Sequence, residues 1–355
     1  MAQRVLITGH RGYIGSVMAS RFIEAGHQVV GLDTGYFDGC TLVADPIPVL
    51  HLEKDIRDGR PHDLEGFDAV VHLAALSNDP IGNLNDSWTE SINLEGSARL
   101  ALMARTAGVQ RFLFSSSCIM YGGSGEAAEV NEDSPLDPKT TYARSKVLAE
   151  QAISGLATPD FSPVFLRNGT VYGLSPRMRF DTVLNSLAGA AVTAGKVTVY
   201  SDGAPWRPVV HIEDVASVFL AVLEAPRERI HNQALNAAAA TVNHQIRDLA
   251  RITAAQVPGC QVEFLSQPDA DQRTYKTNFD RIRHLLPEFR LRWSVEEGVS
   301  QLISQFRRIS LTSEQFHSPQ FTRLKWLRHL IDTNRLNSTL RWQSAERTLE
   351  EVAAR

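Results

Sequence analysis

The 355-residue chain predicts a doubly wound α/β fold on a parallel sheet. Short apolar runs near Val5, Val29, Val49, Val70, Phe112 and Val164 alternate with helical periodicities through the first half. The first of these runs ends in closely spaced glycines that open an amphipathic helix. In such a sheet, ligands gather at the carboxyl ends of the strands.

Taken in order, Arg4-Val-Leu-Ile-Thr8 is apolar and too short for a helix, so it reads as a buried parallel strand. Gly9-His-Arg-Gly12-Tyr13-Ile14-Gly15 follows, then a helix whose apolar face carries Val17, Met18, Phe22 and Ile23 and which Gly26 closes. Glycines let the backbone approach a pyrophosphate, and a helix N-terminus offers free N–H groups and the positive end of its dipole. The next strand, Gln28 to Leu32, delivers Asp33, where a carboxylate can accept both ribose hydroxyls and repels a 2′-phosphate, which favours NAD over NADP. The glycine spacing is three and three rather than two and three, so the turn gains its meaning from the strand before it and the acid after it.

Farther on, a serine run at Ser115, Ser116 and Ser117 precedes Thr141-Tyr142-Ala-Arg-Ser-Lys146. Four residues apart on a helix puts Tyr142 and Lys146 on one face, where an ammonium can hold a phenol partly ionised. With a reference pKa of roughly 10, an unassisted phenol is a poor base at neutral pH. The pair therefore points to proton abstraction.

A net charge of −4 gives no nucleic-acid signature. Cys40, Cys118 and Cys260 form no metal or redox spacing, and an odd, scattered set fits a reducing compartment. Arg4 directly before a strand argues against a signal peptide, and no apolar run is long enough to span a bilayer. A cytoplasmic enzyme without a metal is expected.

The order of three-three glycines, Asp33, Ser117 and Tyr142-x-x-x-Lys146 resembles that of the extended short-chain dehydrogenases/reductases, in their NAD-dependent nucleotide-sugar epimerase and dehydratase branch. The resemblance runs from about residue 4 to residue 300. It implies a Rossmann fold and a cofactor site at Gly9, Gly12, Tyr13, Ile14, Gly15 and Asp33, with an adenine contact at Asp55 and Ile56. The cofactor would further be lined by Leu73, Ala74 and Ala75, by Asn93 in Asn-Leu-Glu-Gly96, and by Ser115, Tyr142 and Lys146. The segments Leu166-Arg-Asn-Gly-Thr-Val-Tyr-Gly173 and Trp206-Arg-Pro-Val-Val-His-Ile-Glu-Asp214 resemble those that meet a sugar nucleotide.

The same resemblance implies a domain of residues 1–172 with 206–232 returning to it. A smaller, discontinuous α+β substrate domain would comprise 173–205 and 233–308. A homodimer would pair the helix at about Asp86 to Ala107 and the helix carrying Tyr142 with their mates. Residues 309–355 read as a helical tail in which Leu324, Trp326, Leu327, Leu330 and Ile331 recur at helical spacing, for packing or for a subunit contact.

Catalysis is expected from Tyr142, Lys146 and Ser117, and substrate contacts from Ser77, Asn78, Ser117, Tyr142, Thr170, Arg207 and Arg273. Relatives that dehydrate sugars carry Asp and Glu after the catalytic hydroxyl, and decarboxylating ones keep the Glu; here the positions are Cys118 and Ile119. Two reactions then stay open: epimerisation, with Asp33 favouring a self-regenerating NAD cycle, and NAD(P)H-dependent reduction of a keto sugar. A non-catalytic nucleotide sensor and a dehydrogenase of small alcohols are the readings from other classes, opposed by the retained Tyr142, Lys146 and Ser117 and by the Arg207 segment. Ser115 and Ser116 are expected to satisfy backbone groups, Cys118 to be a small buried residue, and His211 to pack. Thr170 stands where many relatives have Asn, which weakens a claim to UDP-galactose, and Asn168-Gly169 with Pro176–Asp181 suggests a modified sugar.

Overall fold

The computed structural model describes residues 2–45, 47–77, 85–123, 129–237, 242–265 and 273–343. Its strands are β1 (Arg4–Thr8), β2 (Gln28–Asp33), β3 (Leu50–Glu53), β4 (Ala69–His72), β5 (Arg111–Ser117), β6 (Ser162–Asn168), β7 (Thr170–Tyr172), β8 (Lys196–Val199), β9 (Trp206–His211), β10 (Gln233–Ala237), β11 (Asn243–Gln245) and β12 (Gln261–Phe264). The main helices are α1 (Tyr13–Glu24), α2 (Ser97–Thr106), α3 (Thr141–Ser154), α4 (Val183–Ala194), α5 (Ile212–Glu224), α6 (Ile246–Ala255), α7 (Val295–Arg308) and α8 (Arg323–Asp332).

Seven parallel strands form the large sheet in the order β10-β6-β5-β4-β1-β2-β3. Its inner strands are buried on both faces, as the continuous apolar runs required; all four residues of Ala69–His72, for instance, are buried. The chain reverses its direction across the sheet between β1 and β4, so their carboxyl ends frame the crevice in which doubly wound sheets bind ligands. Gly9 shows how closely the two edges approach: a Cβ there would lie 2.8 Å from the main-chain nitrogen of Ala74, and its φ of +74° suits glycine.

One face of the sheet packs on α1 and α5 in a core that runs on without a break into Leu184, Val197, Leu249 and Phe306 of the smaller lobe. The opposite face packs on α2 and α3 and takes in Trp326, Leu327, Leu330, Leu336 and Leu340 of the tail. The tail thus folds onto its own chain. After residue 205, β9 joins β7 and α5 lies on α1. One boundary differs: β10, which a break at residue 233 assigns to the substrate side, is the edge strand of the large sheet, paired with β6 from Val164 to Asn168. Among the described residues no helix is long and apolar enough to cross a membrane.

Candidate active site

A cavity of about 1060 Å³ opens over the carboxyl ends of β1, β2, β4 and β5 and continues under α4, β9 and α8. It brings together nearly all of the expected residues: Gly9, Gly12, Ile14, Gly15, Asp33, Asp55, Ile56, Leu73, Ala74, Ala75, Ser77, Ser115, Ser117, Tyr142, Lys146, Thr170, Arg207 and Arg273. Asn78 lies outside the described residues.

At one end the glycine turn is closed by a Gly12 N–H to Gly9 carbonyl bond of 2.9 Å, and Gly15 admits no side chain, since a Cβ would come within 2.0 Å of the Gly9 oxygen. At the tip of β2, Asp33 accepts from the main-chain N–H of Arg11 at 3.0 Å and of Gly35 at 2.8 Å. Burial raises its pKa while those two N–H groups oppose the rise. A glycine turn at a helix N-terminus, followed by a fixed carboxylate one strand away, suits the diphosphate and ribose of a dinucleotide. Asp55 caps its own 3₁₀ turn through Arg57 N and is gripped by the Arg57 and Arg341 guanidiniums at 2.6 and 3.1 Å.

Two expected cofactor contacts, Tyr13 and Asn93, are turned toward the protein interior. Tyr13 lines the cavity with the turn, but its hydroxyl points into the interior, donating to the Gly173 carbonyl at 2.8 Å and accepting from Asn185 at 3.0 Å. Asn93 is fully buried and does not line the cavity; its amide clamps Leu76 through both the N–H, at 2.8 Å, and the carbonyl, at 3.0 Å. It holds the loop leaving β4 and touches a ligand only through that loop. A π-helical stretch, Glu90–Gly96, carries it there.

At the other end stand Ser117, Tyr142 and Lys146. Ser117 ends β5, and its hydroxyl accepts from Ile119 N at 3.3 Å, capping the next turn. Thr140 caps α3 in the same way, through Ala143 N at 3.1 Å, which starts the helix one residue before Tyr142. Lys146, only 4% exposed, donates to the Ser115 carbonyl at 2.7 Å, and its ammonium lies 4.7 Å from the Phe114 ring centre and 5.9 Å from that of Tyr142. Burial lowers its pKa to about 8, with Glu150 pulling upward.

Cys118 is fully buried and donates to the Arg167 carbonyl, and burial raises its pKa, so it is an inert packing residue as expected. Ile119 lines the cavity beside Ser117. His211 stacks on Trp293 at 4.2 Å between ring centres and bonds to Gln301, outside the cavity. Ser115 accepts from Asn168 at 3.0 Å, whereas the buried Ser116 hydroxyl has no hydrogen-bond partner, contrary to its expected role. Gly169 has a packing cause: a Cβ there would lie 2.8 Å from the Pro208 oxygen.

Arginines complete the site. Arg207 donates to the carbonyls of Trp206, at 2.9 Å, and of Arg273. Sequence reasoning marked the Pro176–Asp181 stretch but gave no role to its Arg179, which bridges Asp181 at 2.5 Å and the Ser77 hydroxyl at 3.0 Å, and whose charge reaches Tyr142. It also passed over Arg323, which comes from the tail. Burial pushes the Asp181 carboxyl up, yet Arg179 and Arg323 together hold it below its ordinary value. The repeated Arg-x-Arg-x-Asp of residues 177–181 is the signal that could have marked the first of them. Among the described residues no cluster of side chains could hold a metal ion.

Residues 5–238 match the NAD dependent epimerase/dehydratase family. Over 230 residues, 61% of this chain and 72% of the other, the sequence is 30% identical to UDP-glucose 4-epimerase of Mycolicibacterium smegmatis. It is 25% identical to dTDP-D-glucose 4,6-dehydratase of Mus musculus over 86% of this chain and 89% of that protein. Among solved structures, MoeE5 in complex with UDP-glucose and NAD superposes with a TM-score of 0.73 at 26% identity, covering 86% of this chain and 99% of that one. With the glycine turn, Asp33 and the Tyr142-Lys146 pair converging on one cavity, the chain belongs to the NAD dependent epimerase/dehydratase family, with NAD as its cofactor.

Proposed function

We propose that the protein is a nucleotide-sugar epimerase that inverts C4 of a sugar carried on a nucleoside diphosphate. The observation that carries this reading is the chemistry beside Ser117: a hydroxyl, the Tyr142 phenol and the Lys146 ammonium line the cavity, while Cys118 is buried away and Ile119 faces in. Eliminating water from a sugar needs a further acid and base. Among the described residues the lining carboxylates are Asp33 and Asp55 at the glycine-turn end and Asp181 under two arginines. Bound NAD supplies a reversible hydride acceptor.

Tyr142 takes the proton of the C4 hydroxyl and later returns it to the same oxygen. Lys146, held by Ser115, favours the phenolate by its charge. Ser117 donates a hydrogen bond to that oxygen as charge develops on it. Arg207, with Arg273 beside it, receives the diphosphate, for which a guanidinium fork is suited. Removal and return of the same hydride on opposite sugar faces leaves no net redox change.

The test is to incubate the purified enzyme with UDP-, dTDP-, GDP- and CDP-sugars in deuterated water without added cofactor. Inversion at C4 with no solvent deuterium in the sugar is expected. Turnover of keto sugars only with added NAD(P)H would replace this reading by a ketoreductase, and turnover that incorporates deuterium beside a carbonyl by an enolising mechanism.

The protein is further proposed to act as a homodimer through α2 and α3. These helices pack side by side and leave Leu102 and Leu148 exposed at 44% and 47%. Leu148→Lys should give a monomer in analytical ultracentrifugation; an unchanged dimer would remove this face from consideration.

A further inference from the structure

The tail beyond α7 lies outside the family match, which ends at residue 238, yet it bonds to both loops that carry the expected adenosine contacts. Directly after Asp33, the Thr34 carbonyl accepts from the Trp342 indole at 2.5 Å, and the Tyr36 carbonyl accepts from the Trp326 indole at 2.7 Å. The Tyr36 hydroxyl donates back to the Leu340 carbonyl, and its ring lies 5.9 Å from that of Trp342. On the neighbouring loop, Arg341 pairs with Asp55 at 3.1 Å and with Asp58, while Arg57 donates to the carbonyls of Thr339 at 2.9 Å and Leu340 at 3.0 Å.

The same segment also forms part of the cavity wall, through Thr322, Arg323, Leu324, Lys325 and Arg328. Its three cations there, Arg323, Lys325 and Arg328, favour an anionic ligand. Arg323 is 2% exposed, reaches the Arg177 carbonyl at 2.6 Å, and has one guanidinium nitrogen, Nη1, without a hydrogen-bond partner. Burial and the nearby Arg179 lower its pKa to about 10, so an anion in the cavity would stabilise it.

We propose that residues 321–342 form a strap across the adenosine end of the cofactor site, which ties the loops after β2 and β3 together and slows the release of bound NAD. The inference rests on NAD as the cofactor and not on the sugar, so it can fail while the epimerase reading stands, and the reverse.

The test uses full-length holoenzyme loaded with NAD radiolabelled in the adenine, chased with excess unlabelled NAD and followed by filter binding. Wild-type protein is expected to retain its label through gel filtration. Trp342→Ala combined with Arg341→Ala should release it at least about tenfold faster, as loss of a hydrogen bond and an ion pair implies. The variant should also lose turnover on dilution and regain it with added NAD. Should the double variant fail to fold, Arg341→Ala alone, at a partly exposed position, carries the test and should release label about threefold faster. Release within twofold of wild type in a folded variant, or label lost from wild type during gel filtration, would overturn the proposal.

Discussion

Lys146 donates its ammonium to the main-chain oxygen of Ser115 at 2.7 Å, so the helix that carries Tyr142 and the strand that ends in Ser117 are joined by the cation itself. One bond thereby fixes the spacing of Ser117, Tyr142 and Lys146.

The first prediction follows from the titration of that cation. Burial lowers Lys146 to about 8, so the ammonium is present below that pH and lost above it. Turnover should fall as pH rises through about 8, and Lys146→Met should abolish this limb while lowering kcat by about 10²- to 10⁴-fold. Stability moves the opposite way. Between about 8 and the ordinary value of 10.5 the unfolded lysine binds a proton that the folded one does not, so the native state gains stability with rising pH. The gain across that window is about 3 kcal/mol. Urea unfolding of nucleotide-free wild type and Lys146→Met at the two ends of the window checks it, because only wild type should show the gain.

One turn after Lys146, Glu150 is held by Arg167 through Nε at 3.1 Å and Nη2 at 2.7 Å, both side chains being buried. Arg167 also donates to the Tyr121 hydroxyl at 3.0 Å and the Glu132 carbonyl at 3.2 Å. Arg167→Met would leave a buried carboxylate unpaired and should cost about 3–5 kcal/mol. Glu150→Gln removes the charge that pulls the Lys146 pKa upward, so the alkaline limb should move to lower pH. A pH–rate profile matching wild type would confine Glu150 to a structural role.

Residues that act within a few positions of one another were legible in the sequence. The glycine turn with Asp33 and the Tyr142-Lys146 pair depend on one strand, one turn and one helix face, and local spacing determines each. Asn93 and Tyr13 were legible as motif residues but not in their direction, because the clamp on Leu76 and the bond to Gly173 exist only once distant segments pack. Arg323 was illegible for the same reason: it meets Arg177 across 146 residues of chain, and no periodicity announces where a tail will dock. The edge strand Gln233–Ala237 was assigned to the wrong lobe because a strand's partner is a tertiary choice.

The glycine turn allows a paired test. In Gly15→Ala the new methyl would lie 2.0 Å from the Gly9 oxygen and 2.7 Å from the His10 Cα, so the turn must open. Affinity for NAD should fall by at least about tenfold in calorimetric titration. Gly26→Ala meets nothing within 4 Å but sits at a φ of +90°, and should cost about 1–2 kcal/mol of stability without changing NAD affinity. Equal NAD binding by the two variants would show that the turn does not set the cofactor site.

Ser117 separates the two duties of one hydroxyl. As an acceptor from Ile119 N at 3.3 Å it caps the turn that buries Cys118, and Ser117→Ala should cost about 1 kcal/mol through that lost cap. In the proposed role of donor to the sugar oxygen it would serve only while charge develops there, and its loss should lower kcat by about 10²-fold. Ser117→Thr keeps the hydroxyl and should recover most of the rate if its methyl fits. Single-turnover measurements with bound NAD report the chemical step directly. If the alanine variant reacts at the wild-type rate, Tyr142 and Lys146 suffice, and the serine belongs to the fold rather than to the chemistry.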